Sequence, residues 1–375
     1  MRRHAPQTLR LRQLQVLHRH GDRTPLRNVF KGSAPLDELE ECKRWTPKLP
    51  LPEQLTQLGS TYRVKQVEGV HNPYQTRPFG YLTTTGIEQM TARGDRLRAF
   101  GESEAFPFGS LTDSDVQIFS NSYTRTQLSV QALLRGLLRS EPHLTPRVQV
   151  LAPDRDIINT YASFPEIAVL KNGLEAENEE LAFRENEMAP RKQELMRMLP
   201  MFAAEGAAPF TWMAAADYFV CRSAHQIALL SGTQEHHEAT VDHLSFRFHQ
   251  FYSHPRILQL VAGRLMQNML VEIQKVTDNE TSMKKLVIYS GHDISILSVL
   301  HAINARLADD EKWWPEYSSA VALELLQDES SGKWFVRFRL NDDVLVLRGS
   351  SSEESMYPLD EFQGLIIDKM NDFEG

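Results

Sequence analysis

Leu11-Arg12-Gln13-Leu14-Gln15-Val16-Leu17 leads, past His18, into Arg19-His20-Gly21-Asp22-Arg23-Thr24-Pro25. The first piece alternates apolar and polar side chains with the period of two that a β-strand imposes. The second is a turn that carries chemistry: a histidine with arginine one residue before it and three after, a glycine directly behind it and a proline to close. Two guanidiniums beside one imidazole repel each other, and any protonated imidazole, unless an anion lies between them. Arginine matches phosphate in a bidentate fashion, so phosphate is the occupant this turn favours. A strand that delivers an anion-binding turn at its carboxyl end is a feature of α/β proteins, and the rest of the chain reads as the source of the site's remaining parts.

Downstream of the turn, residues 26–81 carry Pro35, Pro47, Pro50, Pro52, Pro73 and Pro78 and an acidic patch at 37–41. They are expected to form a long excursion that borders the pocket, with at most short helices such as one at 55–65. Residues 86–100 read as a helix with Ile87, Met90 and Leu97 on one face. Val116-Gln117-Ile118-Phe119 reads as a strand and Ser120-Asn121-Ser122 as a turn. Val130, Leu133, Leu134, Leu137 and Leu138 then mark a strong amphipathic helix with Arg125 in its first turn. Residues 147–151 are a further strand candidate. Between 156 and 253 the pattern becomes helical; six glutamates at 173–187 read as a solvated face, and Met196, Met198, Met201, Phe202, Trp212 and Met213 as an apolar cluster. His236, His237, His243 and His249 are expected in a solvated loop and not as metal ligands.

The α/β pattern resumes with a helix at 257–274. Lys285-Leu286-Val287-Ile288-Tyr289 is a continuous apolar run of the kind buried on both faces of a sheet. Ser290-Gly291-His292-Asp293 turns into another helix, and residues 320–326 and 334–340 form a hairpin around 328–332. The expected architecture is α/β, a mixed central sheet with flanking helices built from residues 1–155 and 254–375. An inserted, mostly helical cap subdomain at 156–253 and the pocket-bordering excursion at 26–81 complete it.

The chain has 375 residues, of which 41% are hydrophobic and 24% charged, and a formal net charge of −8. That is ordinary globular composition, and its acidic balance argues against a nucleic-acid-binding surface; a local arginine cluster in an acidic protein points to a small anion. The two cysteines, Cys42 and Cys221, are fewer than a disulfide framework needs and fit a reducing compartment, as two thiols or one bridge. No apolar run approaches the roughly 18 residues of a transmembrane span. Residues 1–12 hold four arginines and no acid but no apolar h-region, which fits no secretory signal. The expected location is intracellular, in the cytoplasm, with a mitochondrial presequence as the alternative.

Three strand-to-helix turns therefore carry the reactive residues: Arg19, His20 and Arg23; Arg125; and His292 with Asp293. If their strands are neighbours, the site gathers three arginines, two histidines and one aspartate beside helix N-termini. That inventory suits phosphoryl transfer, with guanidiniums for the equatorial oxygens, an imidazole to attack and a carboxylic acid for the leaving oxygen.

Arg-His-Gly-x-Arg-x-Pro near the N-terminus with Ser-Gly-His-Asp about 270 residues later resembles the histidine acid phosphatases. Leu82-Thr83-x-x-Gly86-x-x-Gln89, Cys221-Arg222-Ser223-Ala224-His225-Gln226 and Trp314-Pro315-x-Tyr317-Ser318-Ser319 extend the similarity over residues 10–370. The subgroup it resembles is the lysophosphatidic-acid-phosphatase-like enzymes. One departure is the cysteine content, since secreted members are commonly held by several disulfides. The resemblance implies a phosphoglycerate-mutase-like core and a metal-independent phosphoric monoester hydrolase that needs no cofactor. His20 would be the nucleophile, forming a phosphohistidine, and Asp293 the proton donor. Arg19, Arg23, Arg125 and His292 would hold the phosphoryl oxygens. The expected ligand is a small phosphate monoester, lysophosphatidic acid for this subgroup.

Plainer roles stand beside these. Asp293 could cap the helix beginning at Ile294; His18 reads as structural or as a support behind the site, and His225 as a packing residue of the cap. Among other functions, a phosphomutase or transferase would need a separate acid, and a phytase, with its highly anionic substrate, would want many lysines at its mouth; an inositol- or sugar-phosphate phosphatase is a further alternative. A non-enzymatic phosphate or lipid binder would have lost a site residue, and none is lost.

Overall fold

A computed structural model describes residues 9–65, 77–348 and 355–371, so Pro73 and the N-terminal Arg2 and Arg3 lie outside the described residues. Nine strands form one sheet among them: β1 (Leu9–Arg19), β2 (Val64–Lys65), β3 (Val116–Ser120), β4 (Val148–Val150), β5 (Leu286–Gly291), β6 (Ala320–Asp328), β7 (Trp334–Leu340), β8 (Asp343–Val344) and β9 (Met356–Pro358). Their order is β2-β4-β3-β5-β1-β6-β7-β8, with β9 also on β7. The strands from β2 to β1 are parallel, and β6 to β9 are antiparallel to their neighbours, so the sheet is mixed as expected.

The condition on the site is met by the middle of this order. β3, β5 and β1 are adjacent and parallel, with Ser120 beside Ser290 and Arg19 beside Gly291. Their carboxyl ends open side by side at one edge, where ligands bind in sheets of this kind. β5 is buried along its whole length, as its unbroken apolar run requires. Side chains divide between the faces with the period of two: Leu14, Val16, Leu286 and Ile288 join one apolar cluster, Leu17, Val287 and Tyr289 the other. Gln13 and Gln15, which simple alternation would send to water, are fully buried. Helix Pro255–Thr277 covers them, and their amides donate to carbonyls of Glu272 (3.0 Å), Lys284 (2.7 Å) and Met269 (2.9 Å).

The excursion is more regular than its prolines suggest. Helices Pro35–Trp45 and Pro52–Thr61 each begin on a proline, where the missing N–H costs nothing and the fixed φ helps. The second replaces the helix expected at 55–65, and β2 behind it joins the edge of the sheet beside β4. Thr24 N donates to Tyr81 O at 3.0 Å and Gly80 N to Pro25 O at 2.7 Å, so the excursion leaves and returns at one point.

Residues 156–253 contain helices Glu166–Glu177, Glu179–Met198, Pro200–Ala203, Trp212–Ala224 and His237–Ser253, with no strand among the described residues. Their interior side chains, Ile167, Leu195, Phe219 and Phe251 among them, share a cluster with Val287, Tyr289 and Val321 of the sheet. Two expectations are corrected here. His236, His243 and His249 are buried, the last two on a helix and not in a loop: His243 Nε2 lies 3.1 Å from Glu185 and His249 Nε2 2.8 Å from Trp313 O. Nor is the Glu-rich stretch simply a solvated face, because Arg247 reaches back to both Glu175 and Glu185. Of the apolar cluster, Met201, Phe202 and Trp212 are buried while Met196 is exposed. No helix of the described residues is long and apolar enough to cross a membrane.

Candidate active site

His20 sits directly after β1, with its N–H on Gly291 O (3.1 Å) and its carbonyl accepting from Ser318 N (3.1 Å), so the sheet's own pairing continues through it. The ring is 2% exposed. Its Nδ1 lies 2.8 Å from Gly21 O. A carbonyl only accepts, so Nδ1 carries the proton and Nε2 keeps its lone pair. Burial first, then the charges of Arg125, Arg19 and Arg23 and neighbouring His292, hold His20 well below the ordinary imidazole range. The imidazole is therefore neutral and oriented, as a nucleophile must be.

Three buried arginines surround it. Arg19 stacks over the Tyr317 ring at 4.3 Å, donates to Pro315 O and pairs with Asp293 through Nη2 and Oδ2 at 2.9 Å. Arg23 pairs with Asp217 at 2.6 Å; burial, the largest single influence, pulls its pKa down, but Asp217, Tyr317 and Cys221 together outweigh it and the net change is upward. Arg125 lies in the first turn of helix Thr124–Leu137, over the Tyr123 ring at 4.3 Å, and burial together with Arg23 brings its pKa down to about 10. In all three, Nε is buried with no hydrogen-bond partner among the described residues. Buried donors are normally satisfied, so three such unpartnered donors around one imidazole are chemically suited to hold an anion.

His292 and Asp293 come from the turn after β5. The His20 and His292 rings meet edge to face with centroids 5.5 Å apart. Asn121 fixes the tautomer of His292: its Oδ1 accepts from Thr126 Oγ1 (2.5 Å) and Tyr123 N (3.3 Å), which leaves the amide N–H to donate to His292 Nε2 at 2.6 Å. The proton of neutral His292 is thus on Nδ1. Burial and Arg125 hold it well below its ordinary range. Asp293 is the first residue of helix Asp293–Ala302, so His292 and not Asp293 takes the N-cap position, although Asp293 Oδ1 does accept from Ile294 N at 2.9 Å. Burial raises the Asp293 pKa, but Arg19, His292 and Arg23 outweigh it and the net shift is downward.

The turn itself is gripped from two sides. On one, Thr83 caps helix Thr84–Ser103 by accepting from Gly86 N (3.0 Å), donates its hydroxyl to Asp22 Oδ2, and Gln89 Oε1 accepts from Asp22 N at 2.8 Å. Gly21 and Gly86 are in backbone contact: a Cβ on Gly21 would stand 2.4 Å from Gly86 O, and one on Gly86 2.3 Å from Asp22 O. These contacts give the spacing of Thr83, Gly86 and Gln89 after Leu82 its physical reason. On the other side, helix Trp212–Ala224 and its C-cap present Asp217, Cys221 and His225 at i, i+4 and i+8. Asp217 holds Arg23 and Leu26 N (2.7 Å), Cys221 Sγ lies 3.5 Å from Arg23, and His225 Nε2 is 2.7 Å from Asp22 Oδ2. Arg222, between them, binds Glu41 of the excursion through both carboxylate oxygens at 2.6 and 2.7 Å.

Residues 10–341 match the family model of the histidine phosphatase superfamily (branch 2). The chain belongs to that family. Membership sets its class of chemistry, phosphate-monoester hydrolysis. Among relatives of this histidine phosphatase, Counting factor 60 of Dictyostelium discoideum is 26% identical over 94% of this chain and 85% of its own length. Lysophosphatidic acid phosphatase type 6 of Homo sapiens is 24% identical over 94% and 82%. The fold is shared with Hafnia alvei phytase in complex with myo-inositol hexakis sulphate (TM-score 0.63, 15% identity, 97% of this chain and 98% of that one). It is shared equally with the phytase of Citrobacter braakii (0.62, 14%, 96% and 98%).

All six residues singled out from the sequence, Arg19, His20, Arg23, Arg125, His292 and Asp293, stand in this one cluster. Asn121, Asp217, Asp22 and Tyr317 were not singled out. Asn121 had a signal: it follows β3 as His20 follows β1 and His292 follows β5. The His225 side chain is 5% exposed, as a packing residue's should be, but what it packs against is Asp22 of the Arg19–Pro25 turn. His18 is fully buried, with its pKa lowered to about 4 by burial.

Proposed function

We propose that this histidine phosphatase hydrolyses phosphate monoesters in two steps through His20. The observation that carries the reading is a neutral imidazole with Nδ1 anchored and Nε2 free, ringed by three guanidiniums with unpaired buried nitrogens. His20 Nε2 attacks phosphorus, and the P–O bond to the leaving group breaks as the P–N bond forms. Arg19, Arg23, Arg125 and the Nδ1–H of His292 take the phosphoryl oxygens and stabilise their charge, the part of phosphoryl transfer that depends on positioning and electrostatics. Asp293 gives its proton to the leaving oxygen, then as a carboxylate takes one from the water that attacks the phosphohistidine. Orthophosphate and free His20 result.

The pKa directions suit acid conditions. Asp293 must be protonated to act and its pKa is depressed, so its active form grows as pH falls; His20 stays neutral well below pH 6.5. For the substrate, we favour a monoester with an apolar leaving group, lysophosphatidic acid being the example that the name of the human relative supplies. A cavity of about 100 Å³, next to Arg23 through the shared Asp217, has Leu26, Val29, Met201, Met213 and Ala214 on its wall beside the charged Arg27, Glu41, Asp217 and Arg222, and that apolar side supports the choice.

The test is hydrolysis of p-nitrophenyl phosphate by wild type and His20→Ala, with acid-stable and acid-labile phosphoenzyme separated after a rapid quench. A loss of about 10⁴-fold or more with no acid-labile phosphoenzyme is expected. Normal turnover by His20→Ala would overturn the mechanism. A panel of lysophosphatidate, inositol hexakisphosphate, sugar phosphates and phosphotyrosine tests the substrate class, and a preference for inositol hexakisphosphate would overturn it.

A further inference from the structure

Among the described residues, Asp217 is the one acidic residue that both contacts a phosphoryl-site arginine and lines the cavity beside it. Its Oδ1 holds Arg23 at 2.6 Å, its Oδ2 holds Leu26 N at 2.7 Å, and its side chain is 6% exposed where it lines the cavity wall. It occupies only one edge of Arg23, whose buried Nε remains without a partner among the described residues. The charges of the cluster are therefore three arginines against the carboxylates of Asp22, Asp293 and Asp217, three minus three, or no net charge before any substrate binds. A phosphoryl dianion makes the cluster negative. The other carboxylate of the cavity, Glu41, is paired by the two-point contact of Arg222, and the remaining cation of the lining, Arg27, is exposed to solvent, which leaves a second anion no unengaged buried cation in the wall.

We infer that Asp217 is a specificity-determining residue: a charge filter that restricts the enzyme to esters whose leaving group carries no second phosphate, and that weakens retention of the orthophosphate product. The inference rests on the phosphatase reading and on the leaving group entering this cavity. Two like charges about 6 Å apart at an effective dielectric near 20 disfavour each other on the order of a hundredfold, and water at the cavity mouth screens part of this. Asp217 also orients Arg23, so removing its charge has two opposed effects. Affinity for any phosphate rises because the site gains net positive charge, while the rate falls because Arg23 loses its anchor. A purely structural residue would lower both.

The experiment compares butyl phosphate with 1,4-butanediol bisphosphate, which differ only in the distal group. kcat/KM for each is measured with wild type, Asp217→Asn and Asp217→Glu, alongside inhibition by orthophosphate. Wild type is expected to prefer the monophosphate by about tenfold or more. Asp217→Asn should cut that preference about tenfold and lower the inhibition constant of orthophosphate, and Asp217→Glu should restore both. An unchanged preference in Asp217→Asn, or orthophosphate inhibition that weakens, overturns the filter. Should Asp217→Asn fail to fold, Asp217→Glu against Asp217→Gln isolates the same charge at equal length. Calorimetric titration of orthophosphate and both esters into His20→Ala, with and without the second substitution, reads the filter without turnover. An inactive wild type would thus count against the phosphatase reading, while the binding preference would still decide the filter.

Discussion

Two arginine–aspartate pairs stand in the same cluster, and we assign them opposite roles. Arg19 and Asp293 meet at 2.9 Å, both delivered by strand ends of the sheet; Arg23 and Asp217 meet at 2.6 Å across the boundary between the catalytic turn and helix Trp212–Ala224. Asp293 stands one residue from His292, in the place where the proposed mechanism needs a proton passed on. Asp217 faces the cavity, anchored to Leu26 N as well, and its charge has the same sign as the substrate's. A salt bridge in an active site is thus not a role in itself. What its carboxylate faces on the other side decides whether it donates a proton or sets a charge balance.

The largest effect should separate the two acids. Asp293→Asn is expected to lower kcat/KM for an alkyl phosphate by about 10²–10⁴, and less for p-nitrophenyl phosphate, whose leaving oxygen hardly needs a proton. Equal losses on both esters would break the assignment of Asp293 as the acid. The pH profile sharpens the contrast. With wild type, kcat/KM for an alkyl phosphate should rise as pH falls from 7 to 5; Asp217→Asn should keep that rise and Asp293→Asn should lose it.

The same acid conditions work against the fold. His18, His243 and His301 have pKa values lowered to about 4, 4 and 3, chiefly by burial. The unfolded chain takes up these protons near pH 6.5 and the folded one only near 4 or below, so stability falls as pH drops through that window. His18, completely buried, accounts for about 3 kcal/mol of the loss on its own. Denaturant melts at pH 7 and 4.5 should show it, and His18→Phe should remove part of the difference; melts that coincide would refute it.

Smaller effects belong to the supports of each pair. Asn121→Ala frees the tautomer of His292 on the Asp293 side and should lower kcat about tenfold or somewhat more, with little change in KM. His225→Ala loosens Asp22 on the Asp217 side and should cost about tenfold, chiefly in KM, because Arg23 and not the nucleophile loses its register. If the two substitutions alter kcat and KM alike, the division of labour between the two sides of the turn is wrong.

How legible each pair was in the sequence follows the same division. Asp293 belongs to a four-residue turn after an apolar strand, and a turn is a local object: Gly291, His292 and Asp293 keep their relation wherever the strand goes. Thr83, Gly86 and Gln89 could likewise be noticed by spacing alone, though only the contact of Gly21 with Gly86 gives that spacing its reason. Asp217 sits 194 residues from Arg23 on a helix whose other positions are ordinary. Its alignment with Cys221 and His225 means something only once the catalytic turn lies against that face. The buried histidines of helix His237–Ser253 escaped for the same cause, since polar residues in an amphipathic stretch read as solvated until a partner such as Glu185 or Trp313 is brought over them.

The sequence by itself determined the strands, by their alternation and apolar runs, and the reactive turns at their ends, because a nucleophile, its anion donors and its acid must each be held by backbone a few residues long. Tertiary structure alone decided that β3, β5 and β1 are neighbours, that the polar face of β1 is covered, and that a helix 200 residues downstream places a carboxylate on Arg23. Those contacts depend on which surfaces are buried together, and burial sums over the whole chain; no short stretch of residues carries it.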